Sequence, residues 1–172
     1  MFNSKLLKVH GLAFAAMAAI SVAGTTAQAA DVLNVKTIGT ELARDIADKT
    51  VQACDEKGFS VSAVVVDRSG QMIAALRSQF AAEQTITIAG GKARGAIMAG
   101  TSTADLVATR PALAANLNLL SDVKMMEGGL TINAGGVRIG AVGVSGAPGG
   151  DIDAACAQEA LDKLADRFEF AN

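Results

Sequence analysis

Two β-branched runs, each doubling back through a glycine turn, constrain this chain most. Ser60–Val66 (SVSAVVV) reads as a short strand, Asp67-Arg68-Ser69-Gly70 as a turn, and Gln71–Ser78 as the returning strand. Leu130–Asn133 and Val137–Ser145 repeat the plan around Ala134-Gly135-Gly136. Helical patterns flank both hairpins. Thr37 or Thr40 can N-cap a helix running to about Lys57, with Gly58 as its stop. Leu42, Ala43, Ile46, Ala47, Thr50, Ala53 and Cys54 share its apolar face.

The middle of the chain is helical by its alanine content from Ala82 to Gly100. Gly90, Gly91 and Gly95 interrupt it, and each mid-helix Gly is unfavourable by about 0.5–1 kcal/mol relative to Ala, so a close approach is expected there. Thr101-Ser102-Thr103 caps a short helix from Ala104 to about Thr109, stopping before Pro111. Residues 112–127 show no clear period; Leu117, Leu119 and Leu120 are expected to point inward. A final helix runs from Asp151 to about Phe168, with Ala157, Leu161, Leu164 and Phe168 as its stripe and Cys156 at the stripe's edge. The order α-ββ-αα-ββ-α predicts an α+β fold, an antiparallel sheet covered by helices.

The N-terminus adds a second constraint. Lys5 and Lys8 form a positive n-region, Leu12 to Ala23 an apolar h-region, and Ala27-Gln28-Ala29 an A-x-A cleavage site. Residues 1–29 therefore read as a secretory signal peptide. Their apolar core is shorter than the ~20 residues of a membrane span, so no stable membrane insertion is expected after cleavage. Neither a lipoprotein cysteine nor a twin arginine is present. The expected location is periplasmic or secreted, and residues 30–172 carry no linker or repeat and read as a single domain.

Removing the leader takes away two lysines and His10, the only histidine. The remainder has 13 basic and 17 acidic side chains, a net charge of −4, and no His, Trp or Tyr. No basic stripe suggests a nucleic-acid partner. A Ser-His-Asp or Cys-His unit is excluded within the mature chain, as is a histidine-bearing zinc site. Acid–base work would fall to Asp, Glu, Lys or Cys.

Three stretches resemble a known family. The hairpin VSAVVVDRSGQMIAALR (61–77), the helix KARGAIMAGTST (92–103) and above all GGLTINAGGVRIGAVGVSGAPGGDIDAACAQEALDKL (128–164) are similar to the GlcG/HbpS-like domains, also found at the C-terminus of PduO. The likeness spans about residues 33–168. It implies a profilin-like sheet flanked by helices, a homo-oligomer, and a small-molecule ligand that in some members is haem. The ligand positions it implies are Arg77, Gln84, Lys92, Gly128, Gly129 and Ser145. Two departures stand out. The hairpin exit reads Arg77-Ser78-Gln79-Phe80-Ala81-Ala82 where relatives often read R-x-D-G-A. Gln84 stands where many carry a histidine, so any haem ligation by that residue does not transfer.

Each candidate has a plain alternative. If the hairpin end meets the middle helix, Arg77, Lys92 and Arg94 make a basic pocket for a haem propionate or a small organic acid; otherwise they are ordinary solvated or ion-paired cations. The loop 146–150 opens a helix, but Asp151 and Asp153 already supply negative charge there, favouring a tight connection over an anion site. Cys54 and Cys156 form a disulfide, two separate buried thiols or a redox-responsive pair. For a haem iron the chain offers thioethers and these cysteines. Met125 and Met126, in the irregular segment, are the candidates, whereas Met72 and Met98 read as core filler. The leading expectation is a non-catalytic binding protein, with no catalytic residue assigned. The alternatives are an enzyme using Lys92, Asp67 or Glu83 on a small hydroxy or keto acid, and a purely structural accessory subunit.

Overall fold

In a computed structural model of the chain, residues 33–169 are described. The expected signal peptide and His10 lie outside them. The elements are α1 (Thr40–Asp55), β1 (Ser62–Asp67), β2 (Met72–Arg77), α2 (Gln84–Ala99), α3 (Thr103–Thr109), α4 (Pro111–Leu117), β3 (Gly129–Ala134), β4 (Val137–Ser145), α5 (Gly150–Lys163) and α6 (Ala165–Glu169). The four strands form one antiparallel sheet in the order β2-β1-β4-β3, so the two hairpins join through β1 and β4. This is the α+β architecture that the element order implied.

Strand alternation divides the core. Val61, Ala63 and Val65 point to the face covered by α1 and α5, together with Val142 and Val144 of β4. Val64, Val66 and Ala141 point to the other face, where Ala89, Ala93 and Ala96 of α2 pack. That second layer is unusually close. A Cβ on Gly143 would lie 2.0 Å from the Ala89 carbonyl oxygen, so β4 and the α2 backbone are nearly in contact.

The glycines of α2 serve a different neighbour. Lys124 donates its backbone N–H to the Gly91 carbonyl at 2.9 Å, laying the segment after α4 against the helix. A Cβ on Gly91 would meet Lys124 Cγ at 2.5 Å, and one on Gly95 would meet the Lys124 carbonyl oxygen at 2.7 Å. Ala114, Val123 and Met125 fill the space beneath with Leu106. Leu117 is half-buried, but Leu119 and Leu120 face outward, contrary to the sequence expectation. Leu106, Leu117, Val123 and Met125 already fill this region, so Leu119 and Leu120 are not needed inside. Pro111 opens α4 rather than merely ending α3, as suits a residue without an N–H at a first helical position.

Other boundaries shift for local reasons. Gly39 is the N-cap of α1, with no side-chain cap, and Thr40 is already helical. The helix ends at Asp55 and the chain turns through Gly58 at φ 82°. The last helix breaks at Leu164 and resumes as α6. Cys54 and Cys156 are both fully buried and joined in a disulfide, Cα to Cα 5.4 Å, which ties α1 to α5. Beside it Glu159 accepts from Lys163 and Lys57. Those bonds, the Lys163 one first, hold the Glu159 carboxyl at about 2 instead of 4.5.

Two predictions follow from this packing. Gly95→Ala forces a Cβ onto backbone and lowers stability by about 1–3 kcal/mol. Gly90→Ala meets the flexible Arg94 guanidinium at 3.3 Å and Val64 Cγ1 at an ordinary 3.8 Å, so it is neutral or stabilising by up to about 1 kcal/mol. Chemical denaturation of the two variants tests this contrast. Because Glu159 titrates lower folded than free, its stabilisation is complete above about pH 5 and is lost as pH falls towards 2. Glu159→Gln therefore flattens the acid limb of the stability profile over that window.

Candidate functional site

Where β4 ends and β3 begins, four of the expected ligand residues come together: Lys92, Gly128, Gly129 and Ser145. Lys92 reaches from α2 on one face of the sheet to Asp153 of α5 on the other, Nζ to Oδ2 2.7 Å. The two side chains are only 3% and 4% exposed. Their path crosses Gly128, which adopts φ 114°; a Cβ there would lie 2.8 Å from Lys92 Nζ and 3.0 Å from Asp153 Cβ. Asp153 Oδ1 accepts the Ala147 N–H at 3.0 Å, fixing the loop that leads into α5. Thr103 Oγ1 accepts the Gly129 N–H at 3.0 Å, and the Gly128 carbonyl accepts the Val144 N–H at 2.9 Å. Among the described residues no buried side-chain nitrogen or oxygen lacks a partner.

This corner is a brace whose charges are spent internally. Lys92 was expected to present its charge to a ligand; instead the ammonium is neutralised by Asp153 and enclosed. Arg77 does not join it. Ser62 lies between Arg77 and Ser145 in the strand register, which puts them two strand spacings apart, about 10 Å. The Arg77 guanidinium donates to the Ala81 and Ser78 carbonyls and borders a 500 Å³ cleft that also holds Asp48 and Asp55. Those carboxylates oppose an anionic ligand. Gln84, at the start of α2, is exposed, while Thr85 beside it pairs with Ser62 through their hydroxyls at 2.8 Å.

The residues named for acid–base work are not assembled either. Asp67 Oδ1 accepts the Ser69 and Gln71 N–H groups inside its turn, Glu83 is exposed ahead of α2, and Lys92 is enclosed. Three of the four methionines depart from the expectation, and Met126 keeps to it. Met125 is buried beneath α3 and α4, whereas Met72 and Met98 are half-exposed, as is Met126. The apolar space is filled by β-branched and small residues, so the longer thioethers of β2 and α2 extend outward.

A second cleft, of 310 Å³, opens between the β1–β2 turn, the C-terminal half of α2 and residues 120–123. Arg94, Ile97 and Met98 line its helical wall. The sequence reading noticed Arg94 but did not pair it with this apolar wall, because the opposing segment shows no period. It also missed Asp153 as the partner of Lys92. One signal was present: a lysine among Gly91, Ala93 and Ala96 lies on a small-residue, buried face and requires an acid.

Removing one member of the Lys92–Asp153 pair strands the other charge, which costs about 3–5 kcal/mol. Lys92→Met and Asp153→Asn are each expected to destabilise on that scale. Together they lose much less than the sum, because with both charges removed neither is left buried alone. A double-mutant cycle in urea measures the coupling; purely additive losses would contradict it.

The comparisons with known proteins agree on one relationship. A family model described as "Haem degrading protein HbpS-like" matches residues 38–162. A crystal structure of HbpS superposes with a TM-score of 0.73 at 31% identity, covering 78% of this chain and 94% of that one. The Klebsiella pneumoniae protein ORFY gives 0.71 at 28% identity, covering 79% and 96%. A PduOC:haem complex gives 0.64 at 23% identity, covering 73% and 94%, a likeness of fold alone. No curated protein matches the sequence at a significant level. The extent of the family match and the 31% identity to nearly the whole of HbpS show that the chain belongs to the HbpS-like family.

Proposed function

We propose that this protein is an exported, non-catalytic binding protein that takes haem as its ligand and works as a homo-oligomer. The observation that carries the reading is the family match over residues 38–162, which takes in every strand of the sheet and the Lys92–Asp153 brace. The PduOC:haem complex, on the same fold, adds weight to haem as the ligand class. The Cys54–Cys156 bridge supports export, because disulfides persist in oxidising compartments. Phe80 and Leu119, 83% and 84% exposed, offer apolar surface for a second copy to cover.

The donor set shapes how haem is held. The disulfide removes both cysteines as ligands, and Met125 is enclosed. Among the described residues the exposed donors suited to a haem iron are the thioethers of Met72, Met98 and Met126. Bound haem supplies redox and light-absorbing chemistry; the chain's own part is an apolar seat, a thioether and a cation for a propionate. A site built this way depends on apolar contact more than a histidine-ligated one does.

Titrating haem into the purified protein while following the Soret band tests the reading. The expected result is saturable binding with a shifted band, together with sedimentation as a homo-oligomer. A featureless titration would overturn haem as the ligand, and a monomer would overturn the assembly.

A further inference from the structure

Among the described residues Arg94 is a half-buried cation whose charge no acid neutralises. Among the described residues the ion pairs join Lys57, Lys163, Lys92 and Arg167 to acids; Arg94 is in none of them and donates no side-chain hydrogen bond. It is half-buried against two glycines. A Cβ on Gly70 would lie 3.7 Å from Arg94 Cγ, and one on Gly90 would lie 3.3 Å from its Nη1. The absence of side chains at both positions leaves the stem and the guanidinium room to lie along the wall of the 310 Å³ cleft. Met98, one helical turn on, shares that face and is half-exposed. Ile97 and Leu120 extend the apolar side of a mixed lining, whose other side is Ser69, Gln71 and Asp122.

A half-buried cation beside Ile97, Met98 and Leu120, with polar groups across the opening, suits a ligand that is apolar at one end and charged at the other. We propose that this cleft binds a carboxylate carried on an apolar body, with Arg94 pairing the carboxylate and Ile97, Met98 and Leu120 gripping the body. The inference rests on the ligand-binding reading above and gives it a place. A haem propionate edge and a free long-chain carboxylate share this chemistry. Asp122 is the one acid in the lining; it is exposed, so water and salt screen it. It still opposes the ligand weakly and sets a direction for the test.

Calorimetric titration of the purified protein with decanoate, decanol and haem distinguishes the cases. Decanoate is expected to bind saturably and more tightly than decanol. Arg94→Met should weaken decanoate roughly ten- to a hundred-fold while leaving decanol unchanged, with Arg94→Lys between the two. Asp122→Asn should tighten decanoate binding. Decanoate binding indifferent to Arg94, or weakened by Asp122→Asn, overturns the inference. Haem that binds the wild type and is weakened by Arg94→Met supports both readings. Haem that fails to bind while decanoate follows Arg94 removes haem and leaves the cleft standing. Haem that binds while decanoate ignores Arg94 does the reverse.

Discussion

The structure depends on one buried ion pair. Lys92 and Asp153 come from helices on opposite faces of the sheet and meet past its corner, with Gly128 leaving the gap through which they join. An isolated charge in such surroundings is strongly unfavourable, so each residue requires the other. The pair also fixes the path of the chain. Asp153 holds the Ala147 N–H, Gly128 accepts from Val144, and Thr103 receives the Gly129 N–H. Five elements, α2, α3, β3, β4 and α5, are thereby set in register by hydrogen bonds and one Coulombic contact. The same arrangement withdraws the most conspicuous lysine from ligand chemistry.

Close backbone approach is the second organising fact. The α2 helix is built from Ala and Gly because β4 presses on one side of it and the segment around Lys124 on another. Helix propensity is given up for contact, and van der Waals packing offsets the loss. The disulfide and the Lys57–Glu159–Lys163 cluster do for α1 and α5 what the ion pair does for α2 and α5. Both layers are therefore cross-linked through α5.

Much of this was legible from residues alone. The short β-branched runs SVSAVVV and VRIGAVGVS place the strands within two residues, because turn residues bound them on each side. The glycines of α2 announced a close neighbour but not which one. Residues 112–127 hid that neighbour, since a segment held by a backbone hydrogen bond to Gly91 and by a few scattered apolar side chains has no period to read. The candidate site was legible in part. Lys92, Gly128, Gly129 and Ser145 do gather, yet the acid that joins them lies 61 residues further on, and pairing at that distance leaves no local trace. Arg77 was separated from them by a strand order that sequence does not state.

Family membership and geometry together divide the molecule into a sealed corner and an open cleft. The sealed corner holds the fold; the cleft beside Arg94 and Met98 keeps its cation available. A crystal structure of the protein grown with haem tests this division most directly. The account predicts the Lys92–Asp153 pair unbroken and a haem carboxylate on Arg94. A propionate seated on Lys92, with Asp153 turned away, would contradict it.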